Sequence, residues 1–190
     1  MKFQLSKSGI AIALSRLRVF EKPKLMEEQY PTDSEIAAEI LWFSHMSGEI
    51  SGRTVADLGC GTGILGIGAL LLGAQKVFFV DSDMSALELT RKNIQFLEHE
   101  TGLSLSDKAE IVNNDISEFN DKVNLVIENP PFGTKLAHAD KLFLEKAFKI
   151  APVIYSIHKA ESKNFIESIA KESSFKITHY FEFDMPIRAT

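Results

Sequence analysis

The chain has 190 residues, of which 45% are hydrophobic and 25% charged, and these proportions are typical of one globular domain. The single cysteine, Cys60, excludes an internal disulfide framework and a cysteine-built zinc site. No apolar run is long enough to span a bilayer, and the first residues lack the layout of a signal peptide. We therefore expect no membrane partner and a cytoplasmic protein, or a nuclear one in a eukaryote.

Charge is distributed unevenly along the chain. The net charge of −5 argues against indiscriminate nucleic-acid binding. However, six basic residues stand among the first 24, and they could hold phosphates locally. An equally good interpretation of these six residues is a solvated helix face.

Two helices are predicted near the N-terminus. Apolar residues recur at helical spacing from Lys7 to Phe20, which predicts an amphipathic helix. After a polar connection, Thr32 or Asp33 can cap a second helix that ends near Gly48. We interpret residues 1–50 as an N-terminal helical extension of one structural unit.

Strands and helices alternate through residues 51–190. The predicted strands are Thr54–Leu58, Lys76–Val80, Ala109–Val112, Val123–Ile127, Pro152–Ile157 and Phe175–Phe183. The predicted helices are Ile64–Leu72, Met84–His99, Lys141–Ile150 and Lys159–Lys171. This alternation predicts an α/β fold of the Rossmann-like type, with a doubly wound, mostly parallel sheet and helices on both faces. Such sheets bind ligands at the carboxyl ends of their strands.

A glycine-rich segment, Asp57-Leu58-Gly59-Cys60-Gly61-Thr62-Gly63, follows the first predicted strand. Glycines let the backbone approach a ligand closely, and the next helix offers its positive N-terminus. The carboxylate of Asp57 would repel a pyrophosphate but would attract the sulfonium and ammonium of S-adenosylmethionine. The loop therefore favours S-adenosylmethionine over NAD.

Acidic residues also end the second and third predicted strands. Asp81 can accept hydrogen bonds from both ribose hydroxyls, while Asp83 is better placed to cap the following helix. Asp115 can accept the adenine amino group, with Ile116 against the ring, although a turn acid is an equally simple interpretation.

The fourth predicted strand leads into Asn129-Pro130-Pro131-Phe132, and this motif indicates the chemistry most clearly. Two prolines remove two backbone donors and fix two φ angles, so the oxygen acceptors of Asn129 and Pro130 are held rigidly. Acceptors on the hydrogens of an exocyclic amine favour the pyramidal geometry in which its lone pair can attack. Phe132 can stack on a flat substrate.

The residues alone leave the substrate open among DNA adenine, RNA adenine and protein glutamine, and a binding scaffold without activity is a further alternative. Lys135, His158 and Lys159 are candidate contacts to substrate phosphates or bases. The remaining histidines show no spacing typical of metal ligands, so we expect no metal site.

With these motifs the chain resembles class I methyltransferases that carry Asn-Pro-Pro-aromatic, and more narrowly the archaeal and eukaryotic methyltransferase-like family that makes N6-methyladenosine in small-subunit ribosomal RNA. Most of the chain takes part in the resemblance. The segments that carry it are Glu28–Thr32, Ala56–Leu65, Val80–Asp83, Asn129–Lys135 and Tyr155–Lys159.

The resemblance implies that Gln29 and Thr32 close over the cofactor, which makes residues 1–50 a gating segment as well as an extension. It implies cofactor contacts from Gly59, Thr62 and Ile64, next to Asp57 and Gly61 of the same loop. It also implies an RNA substrate and a small zinc-binding activator subunit at a sheet edge. The family continues with a further C-terminal strand after the one around Tyr180, and that strand is not found before Thr190.

Overall fold

The computed structural model describes residues 4–20, 32–131 and 139–184, and these form a five-stranded parallel sheet with flanking helices. The helices are α1 (Lys7–Ser15), α2 (Ser34–Met46), α3 (Ile64–Leu71), α4 (Met84–Thr101), α5 (Ala139–Ile150) and α6 (Lys163–Glu172). The strands are β1 (Thr54–Leu58), β2 (Lys76–Asp81), β3 (Ala109–Asn113), β4 (Leu125–Glu128) and β5 (Val153–Ser156). Within the described residues, short 3₁₀ turns cover Ser106–Lys108, Ile116–Glu118 and Ala160–Ser162.

The sheet has the strand order β3-β2-β1-β4-β5, and every pairing is parallel. The order reverses between β1 and β4, so the carboxyl ends of these two strands border the crevice where ligands bind in such sheets. The three central strands, β1, β2 and β4, are short and mostly buried, as expected where helices cover both faces of a sheet, whereas the edge strands β3 and β5 are partly exposed.

Helices cover both faces of the sheet. On one face, residues of α1, α2, α3 and α4 share a hydrophobic core with Val55, Val77 and Phe79. On the other face, Ala147 and Ile150 of α5 pack with Ala56, Leu58 and neighbouring strand residues. The predicted α/β fold with helices on both sides is confirmed. No helix among the described residues is long and apolar enough to cross a bilayer.

The N-terminal helix is shorter than its apolar pattern predicts. α1 ends at Ser15, and the chain then crosses to α4, where the Arg18 amide donates to Oδ1 of Asn93 at 2.9 Å. Of the two predicted caps for α2, Asp33 is the one used, since its side chain accepts from the Glu35 and Ile36 amides. Because Nδ2 of Asn93 also donates to the Thr62 carbonyl, Asn93 connects the N-terminal segment to the glycine loop.

The strand predicted over Phe175–Phe183 is wrong, since residues 175–184 form no strand. Side chains still alternate there: His179 and Phe181 contact Phe43, while Tyr180 lies under the Lys163 ammonium on the other side. A groove of about 890 Å³ lies between this segment and β5. The alternating pattern of side chains is therefore present, but a strand also needs hydrogen bonds to an adjacent backbone, and this segment forms none of the kind that defines one.

Candidate active site

The glycine loop connects β1 to α3 and depends on left-handed backbone. Gly59, Gly61 and Gly63 have φ values of 64°, 53° and 83°. Gly63 immediately precedes α3, and a Cβ atom there would lie 2.6 Å from Cγ2 of Thr90. Thr90 also donates from its hydroxyl to the Gly61 carbonyl at 2.8 Å. The loop is therefore held closely against α4 in a shape that only glycine adopts without strain.

Other predicted cofactor residues lie in or next to this loop. Thr62 is buried, and its carbonyl accepts from Nδ2 of Asn93 at 3.0 Å. Ile64 is the first residue of α3 and packs against the main core. The α3 amides at this end therefore sit beside the crevice, where a helix N-terminus favours a negatively charged group such as a carboxylate.

Asp57 is 1% exposed and lies beneath the loop. Its Oδ2 accepts from the Gly66 amide of α3 at 2.7 Å. The pKa of this carboxyl is raised to about 7, mainly by burial; the Gly66 hydrogen bond opposes the rise, and the Asp81 carboxylate contributes a smaller part of it. A cation in the crevice would stabilise the ionised form, so the position suits a positively charged ligand.

Asp81 ends β2 and connects that strand to the glycine loop. One carboxylate oxygen accepts from the Gly61 amide and the other from the Asp83 amide, each at 2.8 Å. Asp83 in turn caps α4 through the Ser85 amide, as predicted. A carboxylate oxygen can accept more than one hydrogen bond, so these contacts are compatible with the predicted role of Asp81 towards ribose hydroxyls.

Asp115 has a turn role in the structure. Its side chain caps the short turn at Ile116–Glu118 by accepting from the Ser117 amide at 2.8 Å. Hydrogen bonds from Ser117 hold the pKa of this carboxyl below its usual range. Ile116 packs at the margin of the smaller core cluster, beyond the end of β3.

Asn129 follows β4 directly and is oriented from the N-terminal segment. Its Nδ2 donates to Oγ1 of Thr32, which is itself 7% exposed, at 2.9 Å. Its Oδ1 is buried and accepts no hydrogen bond from the described residues. Pro130 is buried and Pro131 is half-buried beside it. The predicted sites Gln29, Phe132 and Lys135 lie outside the described residues.

A chain of three polar side chains lies behind Asn129, and sequence reasoning did not recognise it as a unit. Ser156 donates to Oε1 of Glu128 at 2.7 Å, and its Oγ is also 2.7 Å from Nε2 of His158. Glu128 is fully buried, and burial raises the pKa of its carboxyl to about 8. Burial also lowers the pKa of His158 to about 4. The sequence feature that could have indicated this chain is Glu128, an acidic residue at the end of the otherwise apolar strand β4.

The structure brings most of the predicted residues to one edge of the sheet. The Asp57 loop, Asp81, Asn129 and His158 all follow carboxyl ends of parallel strands. Lys159 precedes the turn at Ala160–Ser162, and its carbonyl accepts from the Ser162 amide. Among the described residues, no group of histidine, cysteine and acidic side chains could hold a metal ion.

Comparison with known proteins identifies this arrangement. The model of the methyltransferase small domain matches residues 33–152, which include the glycine loop, Asp81 and Asn129. The chain belongs to the methyltransferase small domain family. As a member, it is a methyltransferase that uses S-adenosylmethionine as the methyl donor.

Several known proteins are similar over nearly the whole chain. The rRNA N(6)-adenosine-methyltransferase METTL5 of Danio rerio is 35% identical over 182 residues, which cover 91% of this chain and 84% of that protein. An uncharacterised protein of Methanocaldococcus jannaschii is 36% identical, with 94% and 82% covered. A crystal structure from Pyrococcus horikoshii, provisionally named an RNA methyltransferase, has a TM-score of 0.83 and 45% identity, with 91% and 84% covered.

Proposed function

We propose that this methyltransferase transfers a methyl group from S-adenosylmethionine to the exocyclic N6 of an adenosine in RNA, namely small-subunit ribosomal RNA. The observation that carries the proposal is the hydrogen bonding of the Asn129 side chain. Thr32 holds its amide nitrogen, which leaves Oδ1 as a buried acceptor with no described partner, directly before the double proline. A buried acceptor without a partner costs free energy unless a ligand donates to it, and an amino group is such a ligand.

Residues at the carboxyl edge would hold the cofactor. Asp57 lies where a carboxylate attracts the cofactor's positive charge, and Asp81 offers its oxygens to the ribose hydroxyls. Asp115 and Ile116 would receive the adenine, and Gln29 with Thr32, in the 1–50 extension, would close over the bound molecule. The backbone contacts would come from the loop residues Gly59, Gly61, Thr62 and Ile64. When bound, the cofactor supplies an electrophilic methyl group on a sulfonium.

The motif would prepare the substrate nitrogen for attack. The adenine amine is a weak nucleophile because its lone pair is delocalised into the ring. Oδ1 of Asn129 and the Pro130 carbonyl would accept its two hydrogens, with Pro131 stiffening the backbone between them and Phe132. Preorganised acceptors stabilise charge that develops on the amine without reorganising during the reaction. Phe132 would stack on the base, which must leave any duplex to enter the site.

RNA adenosine is preferred over DNA adenine or protein glutamine because of the named relatives. Three rRNA N(6)-adenosine-methyltransferases, from Danio rerio, Drosophila melanogaster and Caenorhabditis elegans, are 30% to 38% identical to this chain. Lys135, His158 and Lys159 would contact the RNA around the base. The basic N-terminal residues would contribute less to RNA binding than their number suggests, because Lys7 pairs with Glu39 and Arg16 pairs with Glu100.

A protein partner is a further part of the proposal. β3 and β5 form the two edges of the sheet, and each leaves backbone groups able to pair with another strand. We propose that a small zinc-binding activator subunit pairs with one of these edges. Because ribosomal RNA is the substrate, the protein would act where ribosomes are assembled, in the cytoplasm or in a eukaryotic nucleus.

The test is a transfer assay with labelled methyl donor on ribosomal RNA from cells that lack this protein, followed by nucleoside analysis. We expect label in N6-methyladenosine of the small-subunit RNA. The same RNA from cells that contain the protein is the control, and it should accept little label because its site is already methylated. Label in another nucleoside, or in protein only, would contradict the proposal.

A further inference from the structure

Lys146 of α5 carries a charge although its side chain is only 8% exposed. Its Nζ donates to the Ser117 carbonyl at 2.9 Å, to the Phe119 carbonyl at 2.7 Å and to Oδ1 of Asn120 at 3.0 Å. An ammonium group has three hydrogens, so these three acceptors use all of them. Burying a charge costs free energy unless it is fully hydrogen-bonded, and the segment after β3 supplies every bond that the described residues make to this ammonium.

The three acceptors follow Asp115 closely in the chain, in and just after the turn that its side chain caps. The other hydrogen bonds of this turn are local: the Glu118 amide donates to the Asp115 carbonyl at 3.0 Å, and Nδ2 of Asn120 donates to the Glu118 carbonyl at 2.9 Å. Lys146 lies 26 to 29 positions further along the chain, on a helix whose Ala147 is buried against the sheet. Lys146 therefore connects the turn to a helix that is fixed on the sheet.

The same side of α5 also reaches the glycine loop. Phe143 lies three positions before Lys146, so the two side chains project from one side of the helix. The Phe143 ring is so close to Gly59 that a Cβ atom there would lie 2.7 Å from Cε1 of the ring. Phe143 and Ile116 both pack at the margin of the smaller core cluster. One helix thus contacts two segments that are proposed to bind the cofactor, the glycine loop and the turn after β3.

Asp115 is placed to meet a ligand at this turn. Its side chain is exposed, unlike that of Lys146. Hydrogen bonds from Ser117 are the main cause that lowers the pKa of the Asp115 carboxyl, burial opposes them, and the Lys146 charge adds a smaller lowering. The carboxyl is therefore ionised at neutral pH, and an ionised carboxylate accepts hydrogen bonds but donates none. Such a group favours an amino group over a carbonyl oxygen.

On the basis of the proposed function, in which Asp115 and Ile116 receive the adenine of the cofactor, we propose that Lys146 is a positioning residue for that base. Its three hydrogens are used by the turn, so it acts through the turn and not on the cofactor itself. By holding the turn, Lys146 keeps the Asp115 carboxylate where the adenine amino group donates. Lys146 thereby sets the preference of the site for adenine over a base that lacks the amino group.

The test compares two ligands by calorimetry, S-adenosylhomocysteine and S-inosylhomocysteine, in which the carbonyl oxygen of hypoxanthine replaces the amino group. The native protein should bind the adenine compound about tenfold more tightly, the value of one hydrogen bond to a charged group. Lys146→Met keeps the length of the side chain but removes its three donors. This variant should lose most of the preference, because its affinity for the adenine compound falls while its affinity for the hypoxanthine compound stays within about twofold.

Two further variants complete the experiment. Lys141→Met is the matched control, because Lys141 is an exposed lysine of the same helix that pairs with Glu145 at 3.7 Å, and it should keep the native preference. Asn120→Ala removes one of the three acceptors of Lys146 at an exposed position, where a substitution does not disturb the core. It should lower the preference about threefold. If Lys146→Met does not fold, Asn120→Ala decides in its place.

A merely structural role gives a different result, because it lowers the melting temperature and weakens both ligands by the same factor. Equal weakening of the two ligands in Lys146→Met, or an unchanged preference, would overturn the positioning role and leave the proposed function intact. If the native protein binds the two ligands alike, the assignment of adenine to Asp115 fails, and the role of Lys146 fails with it. Methylation of RNA adenosine is tested separately by the transfer assay, so its failure is recognised independently of these affinities.

Discussion

The side-chain amide of Asn129 donates from Nδ2 to Oγ1 of Thr32 at 2.9 Å, across 97 positions of the sequence. With Nδ2 donating to Thr32, the amide oxygen of Asn129 faces away from that hydroxyl. The bond also connects the segment before α2 to the end of β4. The N-terminal extension therefore orients the motif that would bind the substrate amine.

The first prediction concerns that connection. Thr32→Val keeps the shape of the side chain but removes the acceptor, so the Asn129 amide loses its fixed orientation. We expect the single-turnover rate to fall about tenfold, since misoriented catalytic groups cost rates of this order or more. Thr32→Ser is the matched control because it keeps the hydroxyl, and it should stay within about twofold of the native rate. Equal rates for the valine and serine variants would contradict this role.

Asn129 itself is predicted to act on the transition state rather than on cofactor binding. Asn129→Ala should leave the affinity for S-adenosylmethionine nearly unchanged in calorimetry and lower methyl transfer at least a hundredfold, about 2.7 kcal/mol of transition-state stabilisation. Asn124→Ala is the control at the opposite end of the same strand, where Asn124 accepts from the Thr54 amide at 2.9 Å. It should lower the melting temperature but not the rate of the folded protein. An Asn129→Ala variant that still transfers methyl groups efficiently would remove the acceptor role.

Asp81 is predicted to control cofactor affinity, both through the loop it holds and through the ribose. Asp81→Ala removes the acceptors for the Gly61 and Asp83 amides, so we expect affinity for S-adenosylhomocysteine to fall at least tenfold in calorimetry. A double-mutant cycle with an analogue that lacks the ribose hydroxyls isolates the direct contact. The native protein should lose affinity for this analogue, while the Asp81→Ala variant should bind both ligands alike. Strictly additive losses would show that Asp81 supports only the loop.

The sheet and the residues at its carboxyl edge were predictable because they follow from patterns of neighbouring residues in the sequence. Short apolar runs separated by helical patterns predicted all five strands of the sheet within two residues at each end. Glycines and acids at strand ends then indicated the crevice, since parallel strands bring those ends together. The Asn-Pro-Pro motif stands out because its residues are consecutive.

The features that the sequence predicted wrongly, or did not predict, depend on contacts between residues that are far apart in the chain. Alternation over Phe175–Phe183 predicted a strand, but no local sequence feature shows whether another backbone lies beside the segment to pair with it. The hydrogen-bonded chain of Glu128, Ser156 and His158 was not predicted because Ser156 lies 28 positions from Glu128 and becomes its neighbour only through the β4–β5 register. The bond from Asn129 to Thr32 spans an even longer separation. Where the sequence indicated Thr32 at all, it was through resemblance to a family and not through any local rule.

Two buried acids predict an unusual pH dependence of stability. Asp57 has its pKa raised from 3.8 to about 7, and Glu128 from 4.5 to about 8. In each case the folded state binds the proton more tightly than the unfolded state. The resulting stabilisation is complete below the unfolded pKa, declines as pH rises, and is lost above the folded pKa. The free protein should therefore become less stable from about pH 5 to pH 8.

The measurement is the melting temperature of the free protein between pH 5.5 and 8.5. Each fully linked proton costs about 1.4 kcal/mol per pH unit, which corresponds to a fall of roughly 3–6 °C per unit for a chain of this size. Asp57→Asn should flatten the decline below pH 7, because the amide does not titrate. Glu110→Gln, an exposed acid on β3, is the control and should keep the native slope. Saturating S-adenosylmethionine should also flatten the slope, because its positive charge stabilises the ionised acids. A melting temperature that rises with pH over this range would mean that the two carboxyls are ionised in the folded free protein.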